Sequence, residues 1–170
     1  MRNGLLVALL LSLMGCLRVP AGLEVVDGFE VEPYLGRWYE IARLDHSFER
    51  GLTRVTADYS LRDDGGIRVV NRGFDPAAGR WKEAEGRAYL AGAPGEGRLR
   101  VSFFGPFYGA YNILALDLTN HGYALVSGPT RNYFWILARK PRLDPQLLAE
   151  LVGKAEAWGF AVDRLIHVEH

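Results

Sequence analysis

Residues 34–51 read YLGRWYEIARLDHSFERG, a Gly-x turn succeeded at once by a tryptophan and a run of alternating side chains. At a period of two, Trp38, Glu40 and Ala42 share one face, and Tyr39, Ile41 and Arg43 share the other. Both faces carry apolar groups, so the stretch predicts a strand covered from both sides. The role of Trp38 at its head depends on the rest of the chain.

Downstream lies a succession of short strand-like runs punctuated by glycine. They are TRVTADYSL from Thr53, IRVVNRGF from Ile67, WKEAEGRAYL from Trp81, RLRVSFF from Arg98, YNILALDL from Tyr111, YALVSG from Tyr123 and NYFWILAR from Asn132. DDGG at 63–66 is a hairpin turn of the kind that accepts positive φ. With the opening strand these runs make eight, joined by short connections. The fold class is therefore all-β, an eight-stranded antiparallel up-and-down barrel, since closure removes every edge.

The period changes once. Asp144 is placed to cap a helix with Pro145 at its first position, and Leu147, Leu148, Leu151, Val152 and Ala155 form an apolar stripe before Gly159 stops it. One C-terminal α-helix after eight strands has only the outside of the barrel to pack on. Arg164 to Val168 predicts a short final strand.

The connections fall into two sets. Those at Asp63–Gly66, Gly92–Gly97 and Thr119–Gly122 are small and polar; their alternates carry Phe48, then Phe74 and Trp81, then Phe107 and Tyr108. Alternate loops of an up-and-down barrel lie at opposite ends, so one end is predicted to be tight and the other an aromatic mouth. A closed barrel of about eight strands has room for one small ligand.

The 20 basic and 20 acidic residues of the 170-residue chain set up no field for nucleic acid, and no nucleic-acid partner is expected. Residues 1–15 read as a signal: after Arg2 comes an apolar run from Leu5 to Met14, ten residues where a bilayer span takes about 20. The run closes in Leu13-Met14-Gly15-Cys16, which resembles a bacterial lipobox with Cys16, the one cysteine of the chain, as the lipidated residue. A plain secretory signal is the alternative. Leu17 stands where an Asp would retain many lipoproteins at the inner membrane, so the expected address is the outer membrane, facing the periplasm. Residues 16–30 then form a lipidated N-terminus and tether, and 31–170 the domain. With Cys16 lipidated no thiol is left for a disulfide.

Gly36-Arg37-Trp38 resembles the Gly-x-Trp signature of the lipocalin family. YLGRWYEIAR, SFFGPFYGAYN and NYFWILAR are similar, in order, to the bacterial outer-membrane lipoprotein members and the apolipoprotein D-like branch, over about Val31 to Glu169. The resemblance implies that Trp38 lies across the closed end, entered through Gly36 and covered by Arg139 in a cation–π contact, as a structural barrel floor. Leu116-Asp117-Leu118 departs from the Thr-Asp-Tyr usual in many members.

With Trp38 inside, the parity of the first strand turns Glu40 and Ala42 inward, and the resemblance sets the parity of the others. Expected ligand-binding positions are Ala42, Val55, Ala57, Tyr59, Val69, Asn71, Ala84, Gly86, Ala88, Val101, Phe103, Tyr111, Ile113, Tyr133 and Trp135, with Ala115 also facing in. Each is equally readable as plain barrel core. Small residues beside aromatic ones predict a cavity, because a solid core would use larger side chains. Glu40 requires a partner that the sequence does not identify. The expected ligand is an elongated amphiphile, a fatty acid or a lysophospholipid, with the rim open to contact with membrane or with a second copy; the protein is a monomer or homodimer.

Catalysis is not expected. Asp45-His46-Ser47 are adjacent and do not converge as a relay requires, and no Gly-x-Ser-x-Gly elbow occurs. HVEH at the C-terminus lacks the three or four structured ligands of a zinc site, so no metal and no cofactor are expected. The alternatives to a carrier are a structural envelope protein without a dedicated ligand and a lipocalin-fold enzyme.

Overall fold

A computed structural model describes residues 17–170; the signal and Cys16 lie outside the described residues. A single turn of helix, α1 (Val31–Tyr34), leads into eight strands: β1 (Gly36–Arg43), β2 (Thr53–Leu61), β3 (Ile67–Asp75), β4 (Arg80–Leu90), β5 (Arg98–Phe104), β6 (Phe107–Leu116), β7 (Tyr123–Ser127) and β8 (Phe134–Ala138). Then come α2 (Pro145–Ala157), a 3-10 turn (Val162–Arg164) and β9 (Ile166–His167). From β1 to β8 each strand pairs antiparallel with the next, and β1 also pairs with β8, which closes the barrel; β9 adds to β1. Phe107 and Tyr108, expected in a loop, already belong to β6, because only Gly105 and Pro106 separate it from β5.

Two apolar layers result from the alternation. The inner layer includes Trp38, Tyr59, Val69, Ala88, Leu99, Ile113, Val126 and Leu137; the outer includes Leu114, Leu125, Phe134 and Ile136, covered by α2 through Leu151 and Ala155. The helix begins where expected. Asp144 accepts hydrogen bonds from the amides of Gln146 and Leu147 at 2.9 and 3.2 Å, with Pro145 at the first turn.

The stretch read as a tether is packed against the barrel. Val19, Leu23 and Val25 join the outer layer and Phe29 the inner one. The buried Asn112 donates to the carbonyls of Arg18 and Gly128, both at 3.1 Å. The Val26 amide donates to Ile113 O at 2.9 Å and the Phe29 amide to Gly95 O at 2.8 Å. The packed domain therefore begins well before residue 31.

The floor has the expected parts. Trp38 is fully buried and donates its indole N–H to Tyr34 O at 2.9 Å. The Arg139 guanidinium sits 4.0 Å from its ring centroid and donates to Arg37 O at 2.9 Å and Pro33 O at 2.7 Å. Gly36 has φ +91°, a conformation in which any side chain is strained. Arg139→Gln removes the cation–π contact and the forked donor set, and is expected to cost about 2 kcal/mol in urea unfolding. Wild-type stability in that variant would show that the floor is sealed by Trp38 alone.

Candidate functional site: the barrel lumen

The inward residues divide by depth. Tyr59, Ile67, Val69, Ala88, Leu99, Ile113 and Val126 are buried in the lower half. Above them Ala57, Asn71, Val101, Phe103, Tyr133 and Trp135 are half-buried and Ala84 is exposed, while the half-buried Tyr111 reaches down to the base. These side chains point inward, so the surface they leave uncovered is lumen surface. The barrel is a cup, filled at the base and open toward the aromatic loops.

The base is polar at one point. Tyr111 hydroxyl lies 2.7 Å from that of Tyr34 and 2.9 Å from that of Tyr59, so three phenols satisfy one another in an otherwise apolar floor. Burial raises all three above the ordinary tyrosine range, so they stay neutral hydrogen-bonding groups. Higher up, Asn71 Oδ1 is buried with no hydrogen-bond partner among the described residues.

Of the expected lining, Ala42 is the one that faces away. β1 pairs with β8 as Tyr39 with Ala138 and Glu40 with Leu137, but then as Ala42 with Ile136 and Arg43 with Trp135. Ile41 is the extra residue of a β-bulge, and it reverses the parity beyond it. Ala42 joins Ile136 in the layer under α2, and Arg43 turns inward beside Trp135. A second bulge in β6, between Ile113 and Ala115, likewise puts Ala115 outside. Gly86 faces in but opens no space: a Cβ there would lie 2.8 Å from Phe103 Cδ1 and 2.7 Å from Ser102 O. Its missing side chain seats the Phe103 ring. Val55 is buried in the upper wall, where with Leu52 it packs over Gly73.

The first bulge supplies the partner Glu40 requires. Arg43 Nη1 donates to Glu40 Oε1 at 2.7 Å, and its Nη2 donates to Glu49 O at 2.9 Å and Leu52 O at 3.3 Å. Arg43 is 1% exposed, so this guanidinium ties the whole 44–52 loop to the wall from inside. Glu49 turns back into the same cluster. Its carboxylate accepts from the Trp135 indole at 3.1 Å and lies 2.8 Å from His46 Nε2. The His46 ring packs 3.8 Å from Phe48 and 5.2 Å from Trp135. Burial, reinforced by the neighbouring Glu49 carboxylate, pushes the Glu40 carboxyl well up. Burial pushes Glu49 up as well, but the His46 ring and the Trp135 N–H outweigh it and hold Glu49 below its usual range. The loop over the mouth is therefore fastened by one guanidinium, which holds Glu40 and two loop carbonyls, and by the Glu49 carboxylate, which meets His46 and Trp135.

Strand alternation alone places none of Arg43, His46 or Glu49 in the lumen wall. The one trace they leave in the sequence is a conflict: Glu40 and Arg43 stand three apart, on opposite faces of any regular strand, unless a residue is inserted between them. Removing the cation alone strands the buried Glu40 carboxyl and two loop carbonyls. Arg43→Met is expected to lower stability by about 3–5 kcal/mol and to speed amide hydrogen exchange in residues 44–52. Glu40→Gln added to it is expected to restore part of that stability. Equal stability of the single variant and wild type would contradict the fastening.

The lipocalin-like domain matches residues 29–170 of this chain. The outer membrane lipoprotein Blc of Vibrio cholerae is 49% identical over 169 residues, covering 99% of this chain and 99% of that protein. The protein of the same name from Escherichia coli K12 is 53% identical over 150 residues, 88% of this chain and 84% of that one. Apolipoprotein D of Mus musculus is 35% identical, covering 83% of this chain and 77% of its own. Among solved structures, insecticyanin from the tobacco hornworm Manduca sexta superposes with a TM-score of 0.72 at 20% identity, covering 90% of this chain and 87% of that one, a likeness of fold. Signature tryptophan, covering arginine, closed eight-stranded barrel and relatives agree: the chain belongs to the lipocalin family.

Proposed function

We propose that this protein is an outer-membrane lipocalin, held by acyl chains on Cys16 and facing the periplasm, that carries one single-chain amphiphile in its lumen without chemistry. Its use is storage, transport or scavenging of membrane-derived lipid. The relatives named outer membrane lipoprotein support the address, as does the Leu13-Met14-Gly15-Cys16 run. Two or more acyl chains, at about 0.8 kcal/mol per buried methylene, anchor a protein stably.

One observation carries the ligand reading: an apolar inner wall that is sealed below and uncovered above. A hydrocarbon tail fits between Ala57, Val101 and Phe103, with its end against Tyr111. The polar head then lies near Asn71 Oδ1 and the loop that Arg43 fastens. The charge there discriminates among heads. The guanidinium there is already engaged with Glu40 and two loop carbonyls, and the His46 ring lies against Glu49. Such a wall leaves no unengaged cation for a fatty-acid carboxylate, and a partly buried charge without a partner is costly. A neutral or zwitterionic head, as in a lysophospholipid, meets no such penalty.

Native mass spectrometry and titration of the chain beginning at Leu17 test this. One lysophosphatidylcholine or lysophosphatidylethanolamine per barrel is expected, with palmitate weaker by about tenfold or more at neutral pH. Ala57→Trp, which fills the half-open wall, is expected to abolish both. Palmitate binding as tightly as the lyso-lipid would overturn the discrimination by charge. Indifference to every lipid, with Ala57→Trp without effect, would overturn the carrier reading in favour of a structural envelope role.

A further inference from the structure

Among the described residues, the two most exposed large apolar side chains are on one hairpin. Phe104 is 80% exposed and Phe107 72%, and they face each other across the Gly105-Pro106 tip of β5 and β6. Phe48, on the β1–β2 loop, and Trp81, at the start of β4, are 61% and 49% exposed at the same end. An apolar tip this bare has no packing role in the monomer.

Cations stand behind it. Arg87 and Arg100 are exposed on the outer face of β4 and β5. Arg100 lies 4.8 Å from the Tyr108 ring and 5.5 Å from Tyr89, and Arg87 lies 5.9 Å from Tyr108. A Cβ on Gly105 would sit 3.2 Å from Arg87 Nη2, so that guanidinium reaches the hairpin tip. Among the described residues neither arginine has a carboxylate partner, while nearby acids are committed: Glu85 to Arg68, Glu83 to Arg72 and Asp64 to Arg62. Arginines held on aromatic faces keep their N–H forks free for phosphate oxygens.

The chain's path supplies the partner. Arg98 Nη2 donates to Leu17 O at 3.3 Å and Asn112 Nδ2 to Arg18 O at 3.1 Å, so residues 17 and 18 are pinned to the outer face of β5 and β6. Cys16 is the next residue. From Arg98 the β5 strand runs six residues to Phe104, about 20 Å at the rise of a strand. An anchor at Cys16 has no slack in which to hold those two strands far from the bilayer.

We infer that the β5–β6 hairpin is a second, non-covalent membrane contact. Phe104 and Phe107 enter the interfacial region, and Arg87 and Arg100 engage anionic phospholipid headgroups. With the anchor near the floor end of β5, this lays the β5–β6 side of the barrel along the bilayer and brings the rim of its open end to the lipid from which its cargo is drawn. The geometry rests on the Cys16-anchored reading; the contact itself does not require the anchor.

Co-sedimentation of the chain beginning at Leu17, without Cys16, therefore tests it separately. Vesicles of phosphatidylethanolamine with phosphatidylglycerol are compared with vesicles of phosphatidylcholine alone. Binding is expected to the anionic vesicles, weakened by salt. Phe104→Ser and Phe107→Ser are each expected to reduce it about tenfold. Arg87→Gln and Arg100→Gln are each expected to remove about fivefold on anionic vesicles only. All four positions are exposed, and lyso-lipid binding by each variant reports that the barrel is intact. Vesicle binding that all four substitutions leave unchanged would overturn the inference. So would loss of vesicle binding in Ala57→Trp, which would show lipid uptake by the lumen in place of docking. Self-association that those substitutions abolish, without vesicle binding, would assign the tip to a second copy instead.

Discussion

The β-bulge at Ile41 is the constraint on which the upper half of the barrel depends. One extra residue in β1 turns Ile41 and Ala42 out to the helix layer and brings Arg43 in to meet Glu40 at 2.7 Å. The same guanidinium then fastens the loop that crosses the mouth. The bulge also separates the strands: β1 pairs with β2 only from Gly36 to Tyr39. Beyond that point β9 takes the vacated edge, opposite Ala42 and Arg43, and His170 Nε2 lies 2.8 Å from Glu40 O. A single irregularity thus sets the polarity of the lumen wall, the seat of the loop and the docking of the C-terminus.

The lower half is built on a different principle. There closure depends on one aromatic plane, Trp38, held between the Tyr34 ring at 4.8 Å and Arg139 at 4.0 Å. Apolar burial fills the base, and the three linked phenols leave no orphaned hydroxyl among themselves. The buried charges lie above it, where the barrel has surface to spare. This division, a dense floor under a fastened mouth, makes a fixed cup out of a sheet that would otherwise collapse on its own small residues.

Much of this is legible in the sequence. Period-two runs, glycine punctuation and the alternation of polar with aromatic loops lead to eight strands and two unlike ends, and the Gly-x-Trp stretch with Arg139 leads to the floor. Ala57, Asn71 and Ala84 stand abreast on the inner face as parity places them, because β2, β3 and β4 keep one register through that stretch. Parity fails at bulges, since alternation carries no mark of an inserted residue; Ala42 and Ala115 are the consequence. Reading glycine as empty space fails at Gly86 because a neighbouring ring, Phe103, occupies it. The packed N-terminal strap is hidden for another reason: its bonds to Ile113, Gly97 and Asn112 are mostly between backbones or from a residue far along the chain.

The carrier reading depends above all on a cup-like lumen, sealed at Trp38 and open at Trp135. Intermolecular NOEs between the protein and one bound lysophosphatidylcholine test that shape most directly. Contacts are predicted from the terminal methyl to Tyr111 and Tyr59, and from the glycerol and choline protons to Trp135, Tyr133 and the 44–52 loop. Contacts confined to the outer groove lined by Tyr39, Arg54, Trp81 and His170, or a headgroup found at the floor, would contradict it.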